Sequence, residues 1–337
     1  MSSPSPRPAK SPPSMRSTAG SLSLVLVSAF TVLVAAARQA PLAPPLPPEA
    51  PAVAARPSVE PSATAAPAAP TALPNVGDEP SCAIPDPGAG PYAVEPRAVG
   101  VGRLHGPLPS ADGYVLVLHL HGGEGARRSI VAAGLSPVLV TVDAGIGSRA
   151  YAEAFYGPEP LEEILAATRA ALAPAKLRHL VLSSWSAGYG GIREMLAQHP
   201  TVPSAVVLLD SVHAGYEPDG ETLVRVGLTP FVNLFDRALH DEATVVLTHS
   251  AIVPPSYAST TEVADFLLGE VGGRRSYGGL TPSHGVELKT RYDQASLHLR
   301  GYTGTGKGAH CAHLAMLGEV LRDEVLPSLA VRDRDPQ

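Results

Sequence analysis

Aromatic side chains are scarce. They make up 5% of the 337 residues, with a single tryptophan, so the chain offers no obvious platform for stacking sugars. Excess positive charge is missing too. The 25 lysines and arginines are outnumbered by 31 acidic residues, for a net charge of -6, and no basic patch points to nucleic acid. No H-x-x-x-H or H-E-x-x-H pattern occurs and the carboxylates do not cluster, so no metal site is expected. Cysteine is limited to Cys82 and Cys311. Neither closely follows the N-terminal apolar run, which argues against a lipoprotein signal. There is no internal repeat.

What the chain does have is distributed unevenly. Residues 1–21 carry Arg7, Lys10 and Arg16 and no acid, and a continuous apolar run follows from Leu22 to Ala37. A basic start, an apolar core and small residues at Ala35 and Ala37 match a secretory signal cleaved after Ala37. The alternative is an uncleaved anchor in the inner membrane, although the run is shorter than the roughly 20 residues of a full span. Twenty of the 36 prolines lie before residue 92. Residues 38–91 are therefore expected to form an extended Pro/Ala-rich linker, because such a segment cannot bury enough surface to offset its ordering entropy. Residues 92–332 are expected to form one domain. Strand patterns near 114–120, 137–142, 179–184, 204–210, 243–248 and 296–302 alternate with helical patterns near 126–133, 161–173, 189–198, 260–271 and 313–326. An earlier strand is expected near 95–104. This alternation predicts an α/β fold, a mainly parallel sheet with helices on both faces. Residues 217–241 read as a short cap over the cleft.

The most telling stretch is Leu180-Val181-Leu182-Ser183-Ser184-Trp185-Ser186-Ala187-Gly188-Tyr189-Gly190-Gly191. An apolar strand runs into a small-residue turn centred on Ser186, and a helical pattern begins at once. Strand, tight turn with serine, helix is the setting of a nucleophile elbow. The residues two before and two after the serine must be small because strand and helix approach closely there; here they are Ser184 and Gly188. Upstream, the strand Tyr114 to Leu120 is followed by His121-Gly122-Gly123-Glu124-Gly125. On these residues the chain resembles the α/β-hydrolase superfamily.

That resemblance implies the α/β-hydrolase fold and a serine hydrolase. Ser186 is the nucleophile it implies. The oxyanion donors would be the backbone N–H of Ala187 and that of Gly122 or Gly123. The general base falls in the loop after the last strand, where His310 is the first choice and His313, three residues on, the competitor. The acid lies between serine and histidine in the chain. Ala205-Val206-Val207-Leu208-Leu209-Asp210 is a strand ending in a carboxylate, which places Asp210 on the face where sites assemble in open α/β sheets. The superfamily more often carries its acid one strand later, but Ala243 to Thr248 ends in His249-Ser250 with no carboxylate. Asp236, Asp241, Asp265 and Asp293 read as solvated surface charge. His213 and His249, just past the same strand ends, are candidates either for lining the pocket or for hydrogen-bonding its loops.

Two further readings complete the sequence. In an exported protein an even cysteine count suggests a bridge; a Cys82–Cys311 disulfide would staple the entering chain across the loop of His310. The segment Gly301-Tyr302-Thr303-Gly304-Thr305-Gly306-Lys307-Gly308 comes close to the phosphate-binding G-x-x-x-x-G-K-[ST] but ends in Gly308. The hydroxyl that would hold magnesium is missing, so the segment is read as a flexible loop and no cofactor is expected. The expected function is hydrolysis of an ester, less favourably an amide, through an acyl-enzyme by a secreted or periplasmic protein. The expected partner is a small-molecule or lipid-like acyl substrate, and the N-terminal apolar segment is a candidate membrane tether. The alternatives are a hydrolase-like binding module of the cell envelope without turnover, and an acyltransferase.

Overall fold

The computed structural model describes Cys82 and residues 84–92, 95–110 and 113–334. The expected signal or anchor at 1–37 and the linker from 38 to 81 lie outside the described residues. Among the described residues, no helix is long and apolar enough to cross a membrane.

A short antiparallel hairpin, β1 (Arg97–Val99) and β2 (Gly102–Gly106), occupies the place of the early strand. The next five strands are β3 (Tyr114–Leu120), β4 (Val138–Val142), β5 (Leu177–Trp185), β6 (Ala205–Leu209) and β7 (Thr244–His249). The antiparallel pair β8 (Ser276–Ser283) and β9 (Val286–Gln294) follows, then β10 (Leu297–Tyr302). All join one sheet in the order β1-β2-β4-β3-β5-β6-β7-β10-β9-β8. β4, β3, β5, β6, β7 and β10 are mutually parallel. This is the mainly parallel α/β sheet expected from the sequence, with antiparallel strands added at both edges.

Continuous apolar runs form the parallel strands because both faces of the sheet are covered. Leu116, Leu118, Leu120, Leu182, Val206 and Leu208 belong to one buried cluster. It is shared with α2 (Ser148–Ala154), α3 (Glu159–Leu172), α4 (Tyr189–Gln198), α5 (Thr229–Leu239) and α6 (Thr260–Glu270). The alternating residues Val117, Val181, Trp185, Val207 and Leu209 face a second cluster. It includes α1 (Gly123–Ala132), α7 (Lys307–Ala315), α8 (Leu317–Val320) and α9 (Leu326–Arg332). Each fully buried aliphatic side chain contributes about 1.5–3 kcal/mol, so these two layers hold the sheet rigid beneath whatever its edge carries.

The described residues differ from expectation in three places. Ile84 and Tyr92 are buried in the second cluster while residues 85–91 between them are exposed, and Arg127 and Arg128 of α1 donate to the carbonyls of Gly88 and Ile84. Contacts with α1 thus reach back to Ile84, within the segment expected as linker. Residues 217–241, expected as a cap, contribute Leu223 to a bridge with Tyr216 and the amphipathic α5, whose Phe231, Leu234, Phe235 and Ala238 are buried beside β7 and β10, and none of them lines the pocket described below. The segment from Gly301 to Gly308, read as a flexible loop, is strand up to Tyr302 and helix from Lys307. His310 therefore sits in the first turns of a helix, not in a loop.

Candidate active site

The parallel register fixes where the strands end. Leu120 pairs with Ser184, Trp185 with Leu209, and Leu209 with Thr248. The residues that follow, His121, Ser186 and Asp210, therefore emerge along one edge of the sheet. All three adopt left-handed backbone conformations, with φ of 73°, 49° and 40°. Such strain in non-glycine residues persists only where the surroundings over-determine it, and it concentrates at functional sites.

Ser186 begins a single 3-10 turn, Ser186–Gly188, that leads straight into α4. A Cβ at Gly188 would collide with the carbonyl oxygen of Leu120 on β3, so glycine is required there. On the other side, the Ser184 hydroxyl pairs with that of Ser211 at 3.0 Å, and Ser211 donates to the Ser186 carbonyl at 2.9 Å. The turn is thus clamped from both neighbouring strands. The Ser186 hydroxyl makes no hydrogen bond to another described residue and opens into a pocket of about 400 Å³. Ala187 lines the same pocket. Its N–H lies in the first turn of helix, where amides have no partner within the helix.

His310 and Asp210 are 100 residues apart and in direct contact: His310 Nδ1 donates to Asp210 Oδ2 at 2.6 Å. Asp210 is 2% exposed. Its other oxygen accepts the Ser250 N–H at 2.9 Å and the Thr260 hydroxyl at 2.6 Å. Burial alone would raise its pKa. The His310 hydrogen bond, the His313 and His310 charges and the Thr260 hydroxyl outweigh burial and hold the carboxyl well below the usual carboxylate range. Thr260 is placed by a capping box, in which Ser259 and Glu262 satisfy each other's backbone amides at the start of α6. The His310 ring is held as well. It lies 4.7 Å from the Trp185 indole, whose Nε1 donates to the His310 carbonyl at 3.0 Å. Next to it, Cys311 is joined to Cys82 by a disulfide.

The competitor His313 is fully buried one turn further along α7, with Nδ1 at 2.7 Å from the Thr248 hydroxyl. Neither His313 nor His310 is among the residues that line the pocket; what separates them is the contact with Asp210, made by His310. Of the two histidines considered for the pocket, His213 lines it, with its ring edge-on to Tyr189 and Tyr257. His249 is instead enclosed by Thr261, Ser250 and Arg275. The glycine amides point elsewhere: Gly122 and Gly123 donate to Asp143 Oδ1, at 2.8 and 3.3 Å. Asp143 ends β4 as Asp210 ends β6, so the same signal, a carboxylate closing an apolar strand, was there to find it. Ser250 and Thr260 carried no such signal, although Ser259-Thr260-Thr261-Glu262 spells a helix start. Among the described residues, no group of three His, Cys, Asp or Glu side chains is placed to hold a metal ion.

No family model matches the chain, and no curated protein matches it. Solved structures do. One is a thermostable esterase, 14% identical, with 68% of this chain and 58% of the esterase covered and a TM-score of 0.40. Another is a carboxylesterase from Bacillus subtilis, 10% identical, with 70% and 94% covered and a TM-score of 0.39. A truncated carbohydrate esterase from gut microbiota is 11% identical, with 72% and 99% covered and a TM-score of 0.43.

Proposed function

We propose that this chain is a serine hydrolase that cleaves an ester, less favourably an amide, through an acyl-enzyme. The observation that carries the reading is the His310–Asp210 pair, 2.6 Å apart, at the sheet edge where Ser186 leaves β5 in a left-handed turn. Asp210 accepts the Nδ1 proton, which leaves Nε2 of His310 as the basic nitrogen. His310 takes the Ser186 proton as the hydroxyl attacks the carbonyl carbon. The oxyanion is met by the Ala187 N–H in the 3-10 turn that leads into α4, where the helix dipole adds to the hydrogen bond. His310 then returns the proton to the leaving group, and water admitted to the same pocket releases the acyl group by the reverse sequence. An acceptor other than water would make the same machinery an acyltransferase. Among the described residues, the pocket walls carry no Asp, Glu, Lys or Arg, which suits an uncharged acyl or alcohol group. The Cys82–Cys311 disulfide favours an oxidising compartment, in line with export directed, or tethering provided, by the N-terminal apolar segment.

A fluorophosphonate probe, followed by peptide mapping of the full chain, tests this reading. Label is expected on Ser186 and is expected to be lost in His310→Ala. A folded protein that takes no label would instead favour a binding module without turnover.

A further inference from the structure

The loop after β3 leaves one half of the oxyanion site unassigned. The N–H of His121 donates to the Val142 carbonyl at 3.0 Å, and those of Gly122 and Gly123 donate to Asp143. Val142 and Asp143 close β4, which lies on the opposite side of β3 from β5. All three amides therefore face away from Ser186. The His121 side chain goes the other way. Its ring stacks on the Trp185 indole, centroids 5.2 Å apart and planes 14° from parallel. It lines the pocket together with Ser186 and Ala187.

The state of that ring is determined by its neighbour. His121 Nδ1 lies 2.7 Å from the hydroxyl of Tyr151, a fully buried side chain on α2. Burial raises the Tyr151 pKa, so the phenol keeps its proton near neutrality. That proton is the only one it has to give, and Nδ1 is the acceptor within reach. Burial, countered by Asp143 and reinforced by His310, pushes the His121 pKa down to about 4. The ring is therefore neutral near pH 7, and its one N–H proton sits on Nε2. That nitrogen makes no hydrogen bond to any described residue.

We infer that the Nε2–H of His121 is the second oxyanion donor, closing from the β3 side a site that the Ala187 N–H closes from the β5 side. A neutral imidazole can polarise a carbonyl without competing with His310 for the proton in transfer. Tyr151 is then a positioning residue that holds the donor tautomer. This inference rests on Ser186 being the nucleophile.

The phosphoryl oxygen of a fluorophosphonate enters the same site, so the rate of labelling reads the donor without knowledge of the natural substrate. His121→Phe keeps a ring on Trp185 and removes the N–H. Labelling of Ser186 is expected to slow by about 10²–10³-fold, with far-ultraviolet circular dichroism unchanged. Tyr151→Phe is expected to slow it by about 10-fold. In the wild-type protein, ¹⁵N-detected NMR near pH 7 is expected to show His121 neutral and protonated on Nε2, a reading that does not depend on any variant folding. An Nδ1-protonated ring would overturn the inference, as would a folded His121→Phe that labels within about threefold of wild type. Ser186→Ala separates the two readings. If label persists elsewhere at the wild-type rate, the hydrolase reading fails with it. If label is lost in Ser186→Ala but unaffected in His121→Phe, only the assignment of His121 fails.

Discussion

Two turns leave neighbouring parallel strands at the same edge of the sheet, and they use their backbones in opposite ways. Each opens on a strained non-glycine residue, His121 after β3 and Ser186 after β5. After β3 the flanking strand supplies an acceptor: the Asp143 carboxylate and the Val142 carbonyl take up three successive amides. After β5 the flanking strand supplies a donor: the Ser211 hydroxyl takes the carbonyl of Ser186 and leaves the amide of Ala187 to the pocket. The first turn spends its N–H groups on structure and offers a side chain. The second fixes its carbonyl and offers both an amide and a hydroxyl. Whether a glycine-rich turn is a site for an anion or a closed joint thus depends on the residue that ends the adjacent strand, not on the glycines.

Two carboxylates carry this contrast, each ending an apolar strand, and replacing them in turn tests it. Asp210→Asn should have the largest effect. The amide keeps the shape but offers an N–H where His310 needs an acceptor, which favours the wrong imidazole tautomer. A loss of about 10⁴-fold in the labelling rate of Ser186 is expected, and a loss under tenfold would remove Asp210 from the mechanism. Asp143→Ala should act more weakly. It frees the Gly122 and Gly123 amides and loosens the loop that aims His121, so a loss of about 3–10-fold is expected, smaller than that for His121→Phe. A faster labelling rate would reverse the contrast, because it would mean that the freed amides turn to the pocket and serve the oxyanion themselves.

The parallel centre of the fold was legible because strands buried on both faces are uninterrupted runs of Val and Leu, and no helix pattern competes with them. The edge was not. β8 reads Ser-Tyr-Gly-Gly-Leu-Thr-Pro-Ser, with Tyr277 and Leu280 exposed, so it lacks the apolar alternation by which a half-buried strand is recognised. In the candidate site, Ser186 stood out by its strand–turn–helix setting and Asp210 as a carboxylate closing an apolar strand; the structure brings both to the same ends of the parallel strands. The choice of His310 over His313 was a choice of chain position; the structure sets His310 on Asp210 and the buried His313 on the Thr248 hydroxyl. The orientation of the Gly122 and Gly123 amides could not be read, because it is decided by a residue twenty positions downstream on a different strand. The role inferred for His121 was hidden for the same reason: its tautomer depends on Tyr151, which only folding brings near.

The smallest effect on catalysis is expected from His313, the second histidine of α7. Burial pushes the His313 pKa down to about 4, against the opposing pull of Asp210 and with the added repulsion of His310. The unfolded chain titrates this group near 6.5. Between those values the unfolded state binds a proton that the folded state does not, so stability rises with pH across the window and falls on acidification. His313→Asn removes one proton's share of that slope, at most about 1.4 kcal/mol per pH unit. It also forfeits the Thr248 contact, at about 1–3 kcal/mol near neutrality. Urea unfolding at about pH 5 and about pH 7 should therefore show a less stable variant whose stability changes less between the two, while Ser186 labels within about threefold of the wild-type rate. An unchanged slope would mean that His313 takes up its proton in the folded state as well. A loss of labelling comparable to that of Asp210→Asn would mean that the second histidine on α7 acts on Asp210 directly, and that the division between a working His310 and a structural His313 is drawn in the wrong place.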